Sequence, residues 1–355
     1  MQEKYDAIYP GQCWLDTDGK RIQAHGASIF YEDGVFYWYG ENKEYTDGKS
    51  GIWTWGIRCY SSKDLYNWTN EGFLVEPDPR DKKAFNHPSR KMDRPHIIKN
   101  KKDGTYILWL KYCDNNSFAI LKATKFKGPY ELVKAEYKPY EMDCGDFDLA
   151  VDENDGTAWI YMECDHKMLV SARLFEDYCS VEGAYRVQYA GLNPPFTREG
   201  TTHFVRGGKH YLLTSGMTGY VPNPSQVAQA DDFNGPFTIL GDPHVDDESC
   251  ASFNSQISSV LHYPDSDLYI AIADRWVPDF KVTKDIYERL ARTIGSNYDK
   301  SLKSSLKDLM WLRKTPVVGN NATMKADYVW LPITFEDGKP VIRWHDSWKI
   351  EDYLK

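Results

Sequence analysis

Residues 33–40 read DGVFYWYG, and variants of that stretch return four more times: DGTYILWL at 103–110, DGTAWIYM at 155–162, GGKHYLLT at 207–214 and SDLYIAIA at 266–273. Each opens on a turn containing Gly or Asp and runs into a short strand rich in aromatic or aliphatic residues. Asp-Gly turns favour the positive φ of tight hairpins, and aromatic and β-branched side chains favour a pleated surface. The starts are 70 (103 − 33), 52 (155 − 103), 52 (207 − 155) and 59 (266 − 207) residues apart. That period leaves room for about four strands per unit, as a propeller blade requires. A second marker keeps the same phase: KGPYELV (127–133), NGPFTIL (234–240) and SKDLYNWTNEG (62–72) read as outer strands. The fold class expected is therefore all-β: a five-bladed β-propeller over residues 1–355. A β-sandwich would also show regular short strands, but not a period of blade length. FEDGKPVIRWHDSW (335–348) reads as the strand that returns to close the ring with the N-terminal segment.

One segment departs from this pattern. Over 282–314, Ile286, Leu290 and Ile294 recur at spacings of four, as do Leu302, Leu306 and Met310. This predicts a helical insertion beside the last blade.

Composition narrows the function. The net charge is -9, which repels phosphate backbones and excludes nucleic acid as a natural partner. No apolar run is long enough to span a membrane. The opening MQEKYDAIYPGQ is polar and lacks an apolar signal region, so either the protein is cytoplasmic or a signal was removed and a start Met added; Gln2 directly after Met1 fits the second. Seven cysteines, at 13, 59, 113, 144, 164, 179 and 250, form no C-x-x-C pair. They read as small buried residues with room for one disulfide, not as a zinc or redox site.

Propeller sites lie at one end of the central channel, so candidates should occur once per unit near the inner strands. Unit one offers Gln23, His25 and Glu41, with Trp53 and Trp55 in GIWTWG (51–56) as an aromatic platform. Unit two offers Asp93 in MDRPH, and unit three offers Asp146 and Asp148 in CGDFDLA. Unit four offers Glu199 in TREGTTHF, with His203 beside the channel and Tyr220 in the rim-like loop GMTGYVPNP (216–224). Unit five offers Gln256 in ASFNSQ, with Asp274 and Arg275 in ADRW. Acids on separate blades converging on one channel suit glycoside hydrolysis, which needs a proton donor and a means of activating water. A neighbouring carboxylate keeps such a donor protonated by like-charge repulsion.

QAHGASIFYEDGVFYWYGE, DRPHIIKN, GDFDLAVDENDGTAWIYM, TREGTTHFVRGGKHYLLTSGMTGYVPN and SFNSQ, in this order and spacing, resemble glycoside hydrolase family 43, and especially its exo-β-1,3-galactanase-like branch. The resemblance implies a five-bladed propeller, inversion at the anomeric carbon, an oligosaccharide or polysaccharide substrate and a secreted or periplasmic enzyme. It implies Glu199 as general acid and Asp146 as the residue that tunes and orients it, with Asp148 as a rival. The family's usual base is an Asp on the first inner strand, but here that stretch is QAHGAS, without an acid. In the branch, a Gln that Gln256 matches is thought to hold the attacking water through its imidic-acid tautomer. Asp93 stands where the branch has a Glu touching the terminal sugar, and it is the other candidate base. No cofactor is required; the resemblance admits a structural calcium ion in the channel near His203, although no oxygen cage is legible.

Overall fold

The computed structural model describes residues 4–112, 114–316 and 322–354. Blade one holds β1 (His25–Glu32), β2 (Val35–Glu41), β3 (Ile57–Ser62) and β4 (Thr69–Val75). Blade two holds β5 (Met92–Lys99), β6 (Tyr106–Tyr112), β7 (Ser117–Ala123) and β8 (Glu131–Tyr137). Blade three holds β9 (Cys144–Val151), β10 (Ala158–Cys164), β11 (Met168–Leu174) and β12 (Val181–Tyr189). Blade four holds β13 (Arg198–Arg206), β14 (Lys209–Gly216), β15 (Gln226–Ala230) and β16 (Thr238–Gly241). Blade five holds β17 (Gln256–His262), β18 (Tyr269–Arg275), β19 (Asp327–Glu336) and β20 (Lys339–Ile342). In every sheet the strands follow chain order and pair antiparallel. The first strands β1, β5, β9, β13 and β17 contact one another in turn and line the centre of a five-bladed propeller.

The five repeated stretches are the second strands of the blades, and the second marker falls on the outermost strands β4, β8 and β16. The Asp33-Gly34 turn has φ of 51° and 79° and joins Glu32 directly to Val35. That positive-φ pair is what the Asp-Gly sequence supplies without strain.

A separate apolar cluster fills each seam between neighbouring blades. The seam that closes the ring, between blades one and five, is built on Trp14, Trp38, Trp68, Trp330 and Trp348. Each such ring removes roughly 150–250 Å² from water, or ~4–6 kcal/mol before conformational entropy is subtracted. Ser258 and Ser259 hydroxyls donate to the Ala27 carbonyl across the same seam at 3.0 and 2.8 Å. The stretch 335–348 is only partly the closing strand expected of it. Its first half forms the β19–β20 hairpin on the outside of blade five, and closure falls to the Ile8–Trp348 bridge and the tryptophan cluster.

The insertion holds two helices, α1 (Lys284–Gly295) and α2 (Leu306–Leu312), between β18 and β19. Thr283 caps α1 and a Ser305–Asp308 capping box opens α2. Leu290 and Ile294 bury against Val221 and Ala251, with Ile286 packed beside them. The second apolar series does not face a core: Leu306 is 74% and Met310 55% exposed. The short α2 is held instead through Trp311 and Leu312, and by Arg289, which meets Asp308 at 2.8 Å and lies 4.2 Å over the Trp311 ring. Cys13, Cys59, Cys144, Cys164, Cys179 and Cys250 are free thiols, so the expected disulfide does not form among them; Cys113 lies outside the described residues. Among the described residues, no helix is long and apolar enough to cross a membrane.

Candidate active site

All five inner strands lose register close to their first residues. The shifts fall between His25 and Ser28, Asp93 and His96, Glu199 and Thr202, and Ile257 and Ser259, while β9 is irregular opposite Met162–Cys164. A bulge bends a strand and re-aims its side chains. Five of them at one mouth of the channel bring the ends of the inner strands together. Gly26, Arg94 and Gly200 stand at these irregularities with φ of 54°, 51° and 58°. At Gly26 a Cβ would come 2.3 Å from Glu41 Oε1, and at Gly200 2.7 Å from Ser215 Oγ. A side chain at either position would displace that neighbour and meet a positive φ that favours glycine.

The mouth opens as a cavity of about 250 Å³. Four acids line it, Glu41, Asp93, Asp146 and Glu199, along with Gln256 and the cations Lys91, Arg94 and Lys111. Trp53, Tyr220 and Trp276 form an aromatic arc on its wall, Tyr220 lying 6.2 Å from Trp53 and 5.4 Å from Trp276 between ring centroids. The insertion borders this arc. Tyr220 donates its backbone N–H to Pro316 at 3.2 Å, and neighbouring Val221 is buried against α1.

Asp146 and Glu199 form the electrostatic centre. Asp146 Oδ1 accepts from Lys111 Nζ at 2.7 Å, and Oδ2 meets Arg94 Nη2 at 3.0 Å and the Gly200 N–H at 3.0 Å. Burial pushes Asp146 up, but Arg94, Lys111 and these hydrogen bonds outweigh it and hold the carboxyl well below the usual carboxylate range. Glu199, half-buried in the cavity wall, goes the other way. Burial first and then the Asp146 charge push it up to about 8, against the opposing pull of Lys111 and Arg94. One carboxyl is thus kept ionised while its neighbour keeps a proton at neutral pH.

Gln256 opens β17. Its Oε1 accepts from Arg94 Nη2 at 2.7 Å and from Trp276 Nε1 at 3.2 Å, while Nε2 donates to Ser215 Oγ at 2.9 Å. Guanidinium and indole N–H groups are donors only, so this pairing fixes which way the amide faces. On the wall of blades one and two, Lys43 Nζ lies 2.6 Å from Glu41 Oε2, and Asp93 Oδ1 accepts from Trp53 Nε1 at 2.6 Å.

Of the residues expected from sequence, Glu199, Gln256, Asp146, Asp93, Glu41, Trp53 and Tyr220 meet in the cavity. The others do not line it. Asp148 lies deeper, meeting His96 Nδ1 at 2.6 Å and accepting the His203 N–H at 2.6 Å. His25 is fully buried, with Nδ1 2.9 Å from Asp274 and its ring stacked on Tyr328. Gln23 donates to the Met324 carbonyl, and Trp55 packs edge-on against Tyr45. Arg275 points away to the Phe253 and Asn254 carbonyls, whereas its neighbour Trp276 reaches the cavity. Arg275 is the last residue of β18 and Trp276 lies just beyond it, so the sequence reading missed the cavity by one residue. Sequence reasoning also passed over Arg94, Lys43, Lys111 and Ser215. Arg94 had a signal, since it follows Asp93 within the quoted DRPH.

His203 does not fit a calcium site. Its Nε2 lies 3.1 Å from His210 Nδ1, its ring stacks on Tyr161, and burial and His210 keep it well below its ordinary pKa. Calcium needs several oxygen ligands, and among the described residues no group of three or more His, Cys, Asp or Glu is placed to hold a metal.

Residues 21–287 match the family model for glycosyl hydrolases family 43. Among solved structures, the chain is similar to a family 43 β-1,3-galactosidase, at 27% identity and a TM-score of 0.78, over 99% of this chain and 65% of that one. It thus spans slightly less than two thirds of that relative. A second family 43 β-1,3-galactosidase, with galactodeoxynojirimycin, is 25% identical at a TM-score of 0.76, covering 97% of this chain and 100% of that one. An exo-β-1,3-galactanase from Phanerochaete chrysosporium, with β-1,3-galactotriose, is 25% identical at a TM-score of 0.76, over 98% and 68%. No curated protein matches the chain.

Proposed function

The chain belongs to glycosyl hydrolases family 43, and on that premise we propose that it is an inverting, exo-acting enzyme that releases terminal galactose from β-galactan or arabinogalactan side chains. The observation that carries this reading is the opposed pair: Glu199 held protonated up to about 8, beside Asp146 held ionised by Arg94 and Lys111. Glycosidic cleavage needs one carboxyl that still carries a proton when it meets the leaving oxygen. The cavity, at about 250 Å³, lies below the roughly 300–1,000 Å³ of drug-sized pockets, which supports a seat for one terminal ring. The names of the similar structures, β-1,3-galactosidases and an exo-β-1,3-galactanase, support galactose as that ring.

In this reading Glu199 protonates the glycosidic oxygen, Asp146 keeps that proton in place, and Gln256 holds the water on the opposite face. Glu41, Asp93 and the aromatic arc grip the ring. The propeller as a whole is the catalytic domain, and its polymeric substrate places the enzyme outside the cytoplasm or in the periplasm. As a base, Gln256 needs the imidic tautomer, whose Oε1–H gives up one of the bonds from Arg94 and Trp276. Gln256→Glu keeps both acceptor bonds and supplies an ordinary base. It is expected to retain activity within about tenfold and to gain an acid limb in its pH profile; an inactive, folded variant would remove Gln256 from the water site.

The reading is tested with nitrophenyl glycosides, β-1,3-galactan and arabinogalactan, following the first product anomer by NMR. Release of α-galactose is expected. Faster cleavage of a β-xyloside, an α-L-arabinofuranoside or a β-galactofuranoside would move the substrate within the family. Sugar binding without any cleavage would make the propeller a binding module.

A further inference from the structure

The wall formed by blades one and two holds a second carboxyl pair that proton donation to the leaving group does not use. Glu41 ends β2 and is buried, with Oε1 accepting the Arg94 backbone N–H at 3.0 Å. Asp93 faces it from β5. Between them sits Lys43, a fully buried ammonium 2.6 Å from Glu41 Oε2 and 3.5 Å from Asp93 Oδ1. Lys43 also donates to the Trp53 carbonyl at 3.0 Å.

We propose that Glu41 and Asp93 share a single proton across this clamp, and that the pair presents it as a hydrogen-bond donor to a hydroxyl oxygen of the terminal sugar. This rests on reading the cavity as a sugar site.

Charge counting supports it. Buried Glu41 and half-buried Asp93 both reach the Lys43 ammonium, at 2.6 and 3.5 Å, and two carboxylates drawn together around one cation resist ionising together. The Arg94 guanidinium turns to Asp146 and Gln256, and Lys111 is paired with Asp146. Lys91 lies 5.0 Å from the Trp53 ring centroid. Behind Gly26, Asp274 adds negative charge and is held by His25 and the Gly26 N–H. Burial, followed by the Asp93 charge, accordingly raises Glu41 well above its ordinary value despite Lys43. Ionising the pair at high pH removes the donor, so KM should rise in the alkaline range separately from the loss of kcat that Glu199 sets.

The decisive measurement is infrared difference spectroscopy in the Glu199→Gln background, where the other proton-holding carboxyl is gone. A protonated-carboxyl band is expected at neutral pH, shifting when galactose is added and vanishing in the Glu41→Gln, Glu199→Gln double variant. Absence of the band, or a band indifferent to Glu41→Gln, overturns proton sharing. A band that galactose does not shift overturns the contact with the sugar. Because the band needs no turnover, a sharing pair in a protein that cleaves no glycoside would fault the functional reading alone. In kinetics, Glu41→Gln still donates, so its KM should lie about tenfold below that of Glu41→Ala and lose the alkaline rise. Equal KM values for the two variants, with the alkaline rise kept in both, contradict the proposal.

Discussion

Two carboxyl pairs line one small cavity, and they differ in where their cations stand. In the pair from blades three and four, Arg94 and Lys111 both attach to Asp146, which is driven down while Glu199 is left raised. In the pair from blades one and two, a single Lys43 reaches both members, and Glu41 is raised through burial and Asp93. Concentrating the cations on one member separates the roles of the two carboxyls. Placing one cation between them leaves the roles shared. Burial is common to both walls, so burial alone does not select the acid.

The comparison breaks most deeply at Glu199. Glu199→Gln should lower kcat on galactan by about 10²–10⁴-fold, measured as galactose release. A nitrophenyl substrate, whose leaving group needs less protonation, should lose less. Full activity on galactan would refute the acid assignment.

Asp146→Asn asks whether the neighbour sets the donor's pKa. It removes the charge that raises Glu199 and frees Arg94 and Lys111 to pull Glu199 down. The alkaline limb of kcat, expected near pH 8, should move to lower pH, with kcat falling roughly 10–100-fold. A limb that stays in place would mean that burial suffices. The two groups also act oppositely on stability. The raised Glu199 contributes fully below about pH 4.5, and its contribution is lost as pH rises through about 8. The depressed Asp146 contributes above about 3.8, and its contribution is lost as pH falls through its lowered value.

Lys43→Met tests the other wall. Removing one partner of a buried ion pair costs about 3–5 kcal/mol. The lower end is expected here, because the shared proton still offsets one charge; thermal melting measures it. The smallest effect belongs to the rim. Tyr220→Ala should raise KM several-fold, with kcat nearly unchanged, by opening the aromatic arc.

The ring of blades was legible because it is written in local chemistry. DGVFYWYG carries its own turn and its own strand alternation, and four variants of it keep the period. Seven of the site residues were legible because motif and repeat phase point to the mouth of the channel. The cations were not. Lys111 meets Asp146 from 35 residues away, and Arg94 meets Gln256 from 162 residues away. Such pairings are made by ring closure, and no local pattern announces them. Asp148 shows the converse limit. It shares face and motif with Asp146, but two residues further down the strand it holds two histidine partners below the cavity.

Arg94 makes these walls one network. Its backbone N–H holds Glu41, and its guanidinium holds Asp146, Gln256 and the Ile257 carbonyl. Substitutions at those acids and at Gln256 therefore share a partner, and shared partners defeat additivity. Optimising the donor, the water-holding amide and the sugar wall one at a time would give increments that do not sum. Variants of this pocket should be selected as combinations, with residue 94 treated as part of every one of them.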